Sequence, residues 1–332
     1  MIFSAPQMSY IQPAEDQYVQ QAEVQNWDEG SENSRHWELT QTILYWKAKE
    51  QRLQYTNQSA PIDTTTDFTQ NKRVRPHFEW DLGFRETLAY LPDECSGLYP
   101  WYFDGSWTFI KNEAKGHKKT DESEGIFPIQ SILPDTAISD FVFEARTKWN
   151  VRLNVAEGRA IYRYKPASYF FLFPYVGLKA AWINQKIKTR YEGGSLIAGP
   201  EKVHMRNNSF GIGPEVGLKP FFVFGNEWHL YAFVSYAPLV SWFHTKQEDN
   251  YAVNSSHKNK HFCDLISTLD SGAGLEWLIS FSRDRYLLGL QAGYEYHIYF
   301  SEYRLPNGPL DLLTGNRNLT FRGWTFSVTI GF

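Results

Sequence analysis

From His36 onward, hydrophobic and polar residues alternate with a period of two, the period of a β-strand. The clearest run is 141–155, where Phe141, Phe143, Ala145, Thr147, Trp149, Val151, Leu153 and Val155 share one parity. The other parity holds Val142, Glu144, Arg146, Lys148, Asn150, Arg152 and Asn154. A second run sets Phe78, Trp80, Leu82 and Phe84 against Glu79, Asp81, Gly83 and Arg85. The pattern predicts ten strands, at 36–48, 77–90, 98–111, 140–157, 169–190, 207–222, 228–245, 261–280, 285–302 and 318–332. Most exceed the usual length of about five or six residues. The intervals between them alternate. Long ones fall at 49–76, 112–139, 191–206, 246–260 and 303–317, and short ones at 91–97, 158–168, 223–227 and 281–284. Short turns at one end, long loops at the other and an even strand count suit a transmembrane barrel better than a soluble sandwich, whose strands are shorter. The expectation is an all-β fold, a transmembrane antiparallel up-and-down β-barrel of about ten strands with short periplasmic turns and long extracellular loops. Residues 1–35 are polar and without periodicity, and read as a disordered periplasmic arm ahead of a barrel at 36–332.

Composition narrows the classes further. Twelve Trp, twenty Tyr and twenty-four Phe make 17% of the 332 residues, too many for a chain disordered throughout. The mean hydropathy is nonetheless −0.47, and the most apolar stretch, Tyr169–Leu178, falls short of the about 20 residues of a membrane helix. A net charge of −4 argues against a nucleic-acid partner. Two cysteines cannot staple a fold of this size. By position, Cys95 falls in a periplasmic turn and Cys263 near the extracellular start of the eighth strand, so the two are not expected to pair. No cofactor or metal is implied. His257 and His261 bracket no ligand set of metal spacing.

The C-terminus is the sharpest local signal. Counting back by twos from the end gives Phe332, Ile330, Val328, Phe326 and Trp324, an apolar stripe to the last residue. An aromatic-terminated amphipathic last strand resembles the signal read by the bacterial outer-membrane assembly machinery. That machinery and the outer membrane are therefore expected, together with an export signal removed from this sequence.

With the segments "LYWKAKE" at 44–50, "FEWDLGFRETLAY" at 78–90, "PYVGLKAAWINQK" at 174–186, "GIGPEVGL" at 211–218, "LDSGAGLEW" at 269–277 and "RYLLGLQAGYEY" at 285–296, the chain resembles the Legionella-type major outer membrane protein family of pore-forming barrels, which also occurs in environmental chlamydia-like bacteria. The ordered set spans most of 36–332. The resemblance implies a porin-like role and supplies no catalytic residues. Glu86 departs from the pattern, because it falls on the parity expected to face lipid.

If the apolar parity faces lipid, the inward set comprises Glu79, Asp81, Arg85, Asp104, Glu144, Arg146, Lys148, Arg152, Lys179, Glu215, Lys219, Asp264, Asp270, Glu276, Glu295, His297 and Arg322. Across a water-filled bore these charges would select among small hydrophilic solutes. Paired across a narrow bore, they would close it, and ten strands lie near the filled end of barrel sizes. Passive diffusion is the first expectation and a plugged structural or adhesive barrel the alternative. A protease of the omptin type is a minor third: Glu79 with Asp81, and Glu295 with His297, each share an i, i+2 spacing at a strand end. No enzyme is expected. The remaining partners expected are outer-membrane lipid, lipopolysaccharide and a second copy of the chain.

Overall fold

A computed structural model describes residues 36–332 except 52, 58–59, 62–72, 93–95, 122, 131–140, 198, 226, 252–253, 282–285 and 303–317, with the backbone alone at 60–61 and 254–257. The arm at 1–35 and Cys95 lie outside the described residues. Ten long strands carry the fold: β1 (Trp37–Glu50), β2 (Asp81–Tyr90), β3 (Trp101–Lys119), β4 (Glu144–Tyr162), β5 (Phe170–Glu192), β6 (Glu201–Phe224), β7 (Trp228–Tyr251), β8 (Asn254–Phe281), β9 (Tyr286–Tyr299) and β10 (Leu319–Gly331). Each pairs antiparallel with the next, and β10 returns to β1 from Glu38↔Gly331 to Glu50↔Leu319, which closes the barrel. The seam is tight. A Cβ on Gly323, whose φ is 159°, would stand 2.1 Å from the Tyr45 carbonyl oxygen. Three backbone hydrogen bonds join the last residue to the first strand: Phe332 O accepts from His36 N (3.2 Å) and Trp37 N (3.1 Å), and Phe332 N donates to Trp37 O (2.9 Å).

Several strands run well past the predicted ends. β7 has 24 residues and β8 has 28, against the about 9–11 needed to cross a bilayer. The loop expected at 246–260 is therefore mostly strand, with Tyr251 of β7 paired to Asn254 of β8, and the one at 191–206 shrinks to 193–200. His261 lies in β8, stacked on His244 of β7 at 4.1 Å between ring centroids.

The outward face explains this extra length. Over the lower, periplasmic part of each strand, outward residues are mostly apolar, with Gln41 and Glu86 among the exceptions. Ile43 is 59% exposed while its neighbour Leu44 is fully buried, and Leu82, Phe326 and Ile330 also face out. Aromatic pairs edge the apolar band at both levels: Trp37–Tyr90, Trp101–Tyr162 and Phe170–Phe222 below, and Tyr45–Trp80, Trp182–Phe210 and Phe210–Trp242 above. Above the upper row the outward residues turn polar and charged, and the inward ones turn apolar. The parity of each strand never shifts; what changes is the medium outside it. In lipid the apolar side chains face out. Beyond lipid they face in and build an ordinary core, because water is now on the other side.

That core fills the extracellular half. Leu44, Trp46, Ile110, Trp149, Leu153 and Ile183 point into it, at most 1% exposed. The connecting segments pack in above them. Leu53, Tyr55, Ile126 and Val142 are buried among the strand residues, and short pairs at 56–57 with 73–74 and at 60–61 with 124–125 hold the segments together. Tyr191 Oη donates to Tyr55 O at 2.6 Å, and Gln247 Nε2 to Gln130 O at 2.8 Å. Burial lifts the Tyr55 phenol to about 12 and the Tyr191 phenol well above its ordinary value.

Candidate functional site: the charge network of the lumen

Beneath the apolar core, charged side chains from seven strands meet across the bore. Arg85 on β2 makes a bidentate pair with Glu295 on β9, with Nη1–Oε1 at 3.0 Å and Nη2–Oε2 at 2.8 Å. Its Nε donates to Thr108 Oγ1 at 3.0 Å, and its guanidinium lies over the Trp46 ring. His297 stands between two carboxylates: Nδ1 is 2.8 Å from Asp270 Oδ1 and Nε2 is 2.9 Å from Glu295 Oε2. A carboxylate only accepts, so the ring satisfies both partners when both nitrogens carry hydrogen. Lys179 on β5 is 1% exposed and bonds Asp270 on one side and Glu157 (3.0 Å) on the other. Glu157 also accepts from Ser106 Oγ at 3.0 Å. Arg159 closes the ring of contacts through a two-point pair with Asp104 at 2.8 and 3.0 Å. Buried charges persist only when paired and hydrogen-bonded, and this network meets that condition almost throughout.

One group stands apart. Glu215 is 2% exposed, and its Oε2 has no hydrogen-bond partner among the described residues. Its carboxylate shares a space with those of Glu157 and Asp270, ligand oxygens lying within 4.8 Å of one another. Three such oxygens could hold a cation. Here the Lys179 ammonium, bonded to two of them, supplies the positive charge.

Below the network a cavity of about 270 Å³ continues to the periplasmic end, where Leu91, Arg163, Leu278 and Leu287 line it. Its walls mix charge with aromatic faces: Arg163 lies over Tyr102, and Lys219 lies between Phe221 and Tyr231. Glu276 sits on the same wall.

Of the residues expected inside, Arg85, Asp104, Lys179, Glu215, Lys219, Asp270, Glu276, Glu295 and His297 are in the lumen. Asp81 and Asp264 also lie on the inward parity: Asp81 accepts from Asn112 Nδ2 at 3.2 Å, and Asp264 pairs in register with the buried Ser241, above Ile266 and Asp270. Six do not. Glu144, Arg146, Lys148 and Arg152 lie on the outer face of β4, opposite the buried Ala145, Trp149, Val151 and Leu153. Glu79 faces Lys115 on the outside at the extracellular rim. Arg322 shares the outward parity of Trp324. The cause is the change of medium: these positions lie beyond lipid, where the polar parity faces bulk water. Glu157 and Arg159 were missed for the same reason, because they share the parity of the apolar run at 141–155. The signal for them was present, since the alternate residues Ala156, Gly158, Ala160 and Tyr162 become small or apolar just there. Glu86 does face outward, four residues above the lower end of β2, with Gln41 Nε2 donating to it at 3.5 Å. Within the apolar stripe, Trp324, Phe326, Val328, Ile330 and Phe332 all face out.

A closed antiparallel barrel with an apolar belt, aromatic rims and a polar mid-lumen defines a bacterial outer-membrane β-barrel protein. The family model of the Legionella pneumophila major outer membrane protein precursor matches residues 31–332, and the chain belongs to that family. No curated protein sequence matches it. Among solved structures, the outer-membrane protease OmpT from Escherichia coli aligns with 8% identity over 92% of this chain and 98% of that one, with a TM-score of 0.44. Ail, the attachment invasion locus protein of Yersinia pestis, aligns with 11% identity over 90% and 97%, TM-score 0.24. A Pseudomonas aeruginosa FadL homologue aligns with 8% identity over 90% of each chain, TM-score 0.26.

Proposed function

We propose that this protein is a plugged outer-membrane barrel that presents its extracellular half at the cell surface, with no open diffusion path in this conformation. The observation that carries the reading is the stacking of two seals. The Arg85–Glu295 and Lys179–Asp270 pairs cross the bore, and the apolar core around Trp46 and Trp149 fills the space above them. Ions crossing that core would lose hydration with nothing to replace it.

Porin-like passage of small hydrophilic solutes is the second reading. The charged cavity that reaches from the periplasmic end to the middle of the barrel supports it. Passage then requires the ion pairs to part and the segments at 53–57 and 123–130 to leave the mouth. A non-enzymatic role fits both readings, because Glu79 lies on the outer face and both His297 nitrogens are engaged with carboxylates.

Planar-bilayer recording on refolded full-length protein separates the two. The plugged barrel gives a flat baseline at low voltage, and a porin gives discrete steps. Steps in the unmodified protein would overturn the first reading. In either case, replacing Arg146, Lys148 and Arg152 with Ser should leave ion selectivity unchanged, since all three lie outside the bore.

A further inference from the structure

We propose that the outer face of β3–β7, directly above the upper aromatic row, is a docking surface for lipopolysaccharide, held through its phosphates and acidic sugars. Register places the cations in rows across neighbouring strands. Lys111 faces Arg152, and Lys186, Arg206 and Lys246 form one row over three strands. Lys115, Lys148 and Lys188 form the next, and Arg146, Arg190 and Lys202 the one above. All eleven share the outward parity of their strands. The same strands carry four outward acids, Glu113, Glu144, Glu192 and Glu248, and Glu79 adds a fifth beside Lys115 at the rim. The chain as a whole is net negative, so this concentration of positive charge is local.

Like charges placed directly opposite across two strands are destabilising. The acids offset only part of that. Glu113 takes Lys115 (2.6 Å) and Lys148 (2.8 Å), Glu144 takes Arg146 and His117, Glu192 takes Arg190, and Glu248 takes Lys246. Lys111, Arg152, Lys186, Lys188, Lys202 and Arg206 have no ion pair among the described residues. A surface built this way is completed by anions from outside.

Its height selects the anion. The lowest charged row, with Lys111 and Arg152, begins one outward position above Phe109, Trp182, Phe210 and Trp242, the aromatic rim of the membrane band. Phosphorylated headgroups of the outer leaflet lie at that level. Rows recur about every 6.8 Å along a strand and strands about every 4.8 Å across, so one phosphate reaches cations from two or three strands. The site is thus a grid for a polyanionic lipid whose head rises above the bilayer, as lipopolysaccharide does.

The test uses full-length protein refolded in detergent, with phosphorylated rough lipopolysaccharide, the same lipid dephosphorylated, and heparin as probes. Parent protein should bind the phosphorylated form with an affinity that falls steeply with salt, and the dephosphorylated form at least tenfold more weakly. Lys186→Gln/Lys188→Gln/Arg206→Gln should weaken binding at least tenfold while keeping heat-modifiable gel mobility. Lys111→Gln/Arg152→Gln/Lys202→Gln serves if the first variant does not fold. Lys47→Gln/Arg322→Gln, on the far wall of the barrel, should change binding less than twofold. Unchanged binding in both triple variants, equal binding of the dephosphorylated lipid, or tighter binding of heparin than of lipopolysaccharide would each overturn the proposal, the last in favour of a soluble polyanion.

Discussion

Replacing Lys179 with Met probes whether the middle of the barrel is dry. The ammonium bonds Glu157 and Asp270, and the Glu215 carboxylate lies beside both. Without it, three carboxylates face one another with oxygens within 4.8 Å. At an effective dielectric constant of about 20, two unit charges at that separation repel by about 3.5 kcal/mol. Removing one partner of a buried ion pair costs a comparable amount, about 3–5 kcal/mol. Lys179→Met should therefore destabilise the barrel by about 3–5 kcal/mol. Adding Asp270→Asn should recover about half, because it removes one repelling carboxylate and leaves His297 an amide oxygen in its place. Urea unfolding in lipid vesicles, followed by tryptophan fluorescence, measures both changes, and the single variant should shift the midpoint by about 1 M or more. A loss below about 1 kcal/mol would mean that water already screens these charges. The lower seal would then be refuted, and only the apolar core around Trp46 and Trp149 would be left to close the bore.

Other expectations follow from the seam, the surface and the strand ends. Gly323→Ala drives a methyl into the Tyr45 carbonyl at the closing seam and should cost about 3 kcal/mol or more, read in the same urea assay. Deleting Phe332 removes three backbone hydrogen bonds to the first strand, and should slow assembly into proteoliposomes carrying the assembly machinery several-fold, as judged by heat-modifiable mobility. His261 is exposed on the outward face of β8, one outward position above the aromatic rim, so His261→Cys should be labelled by a membrane-impermeant maleimide on intact cells; protection until lysis would invert the topology. Hydrogen bonds from Lys115 and Lys148 hold the Glu113 carboxyl below its ordinary range. Burial raises that of Glu144, but Arg146 and His117 outweigh it and leave it low as well. Carboxyls held low add stability at neutral pH that is lost as pH falls below the ordinary carboxylate range, so Glu113→Gln should flatten the acid limb of stability against pH, slightly and less at high salt.

The barrel itself was legible because alternation and its spacing are local properties of the chain. All ten strands form where they were expected, β1 on the least regular alternation, and nine lumen charges of β2, β3, β5, β6, β8 and β9 were read from parity alone. What alternation cannot state is which face is inside. The run Ala145–Val155 alternates as well as Trp324–Phe332 does, yet one stripe meets a core and the other meets lipid. The distinguishing signal is the exchange of apolar character between parities within a single strand. In β4 it passes from Trp149, Val151 and Leu153 to Ala156, Ala160 and Tyr162, and in β5 from Ile187 and Ile183 to Leu178 and Val176. Each exchange marks the height at which lipid gives way to water. The pairing of Arg159 with Asp104 across β3 and β4 could not be seen in the same way, because it depends on register between strands some fifty residues apart in the chain.

The ladder between β7 and β8 keeps its pairing from Trp228↔Trp277 to Tyr251↔Asn254 and crosses from bilayer to water without interruption. Mechanically, the outer half is a stiff post continuous with its own foundation. A lateral pull at the Tyr251 tip travels down paired backbone into the membrane belt, with no hinge between to dissipate it. Two strands that long resist sliding with all their hydrogen bonds loaded together, so whatever grips the tip tugs on the membrane before it bends the barrel.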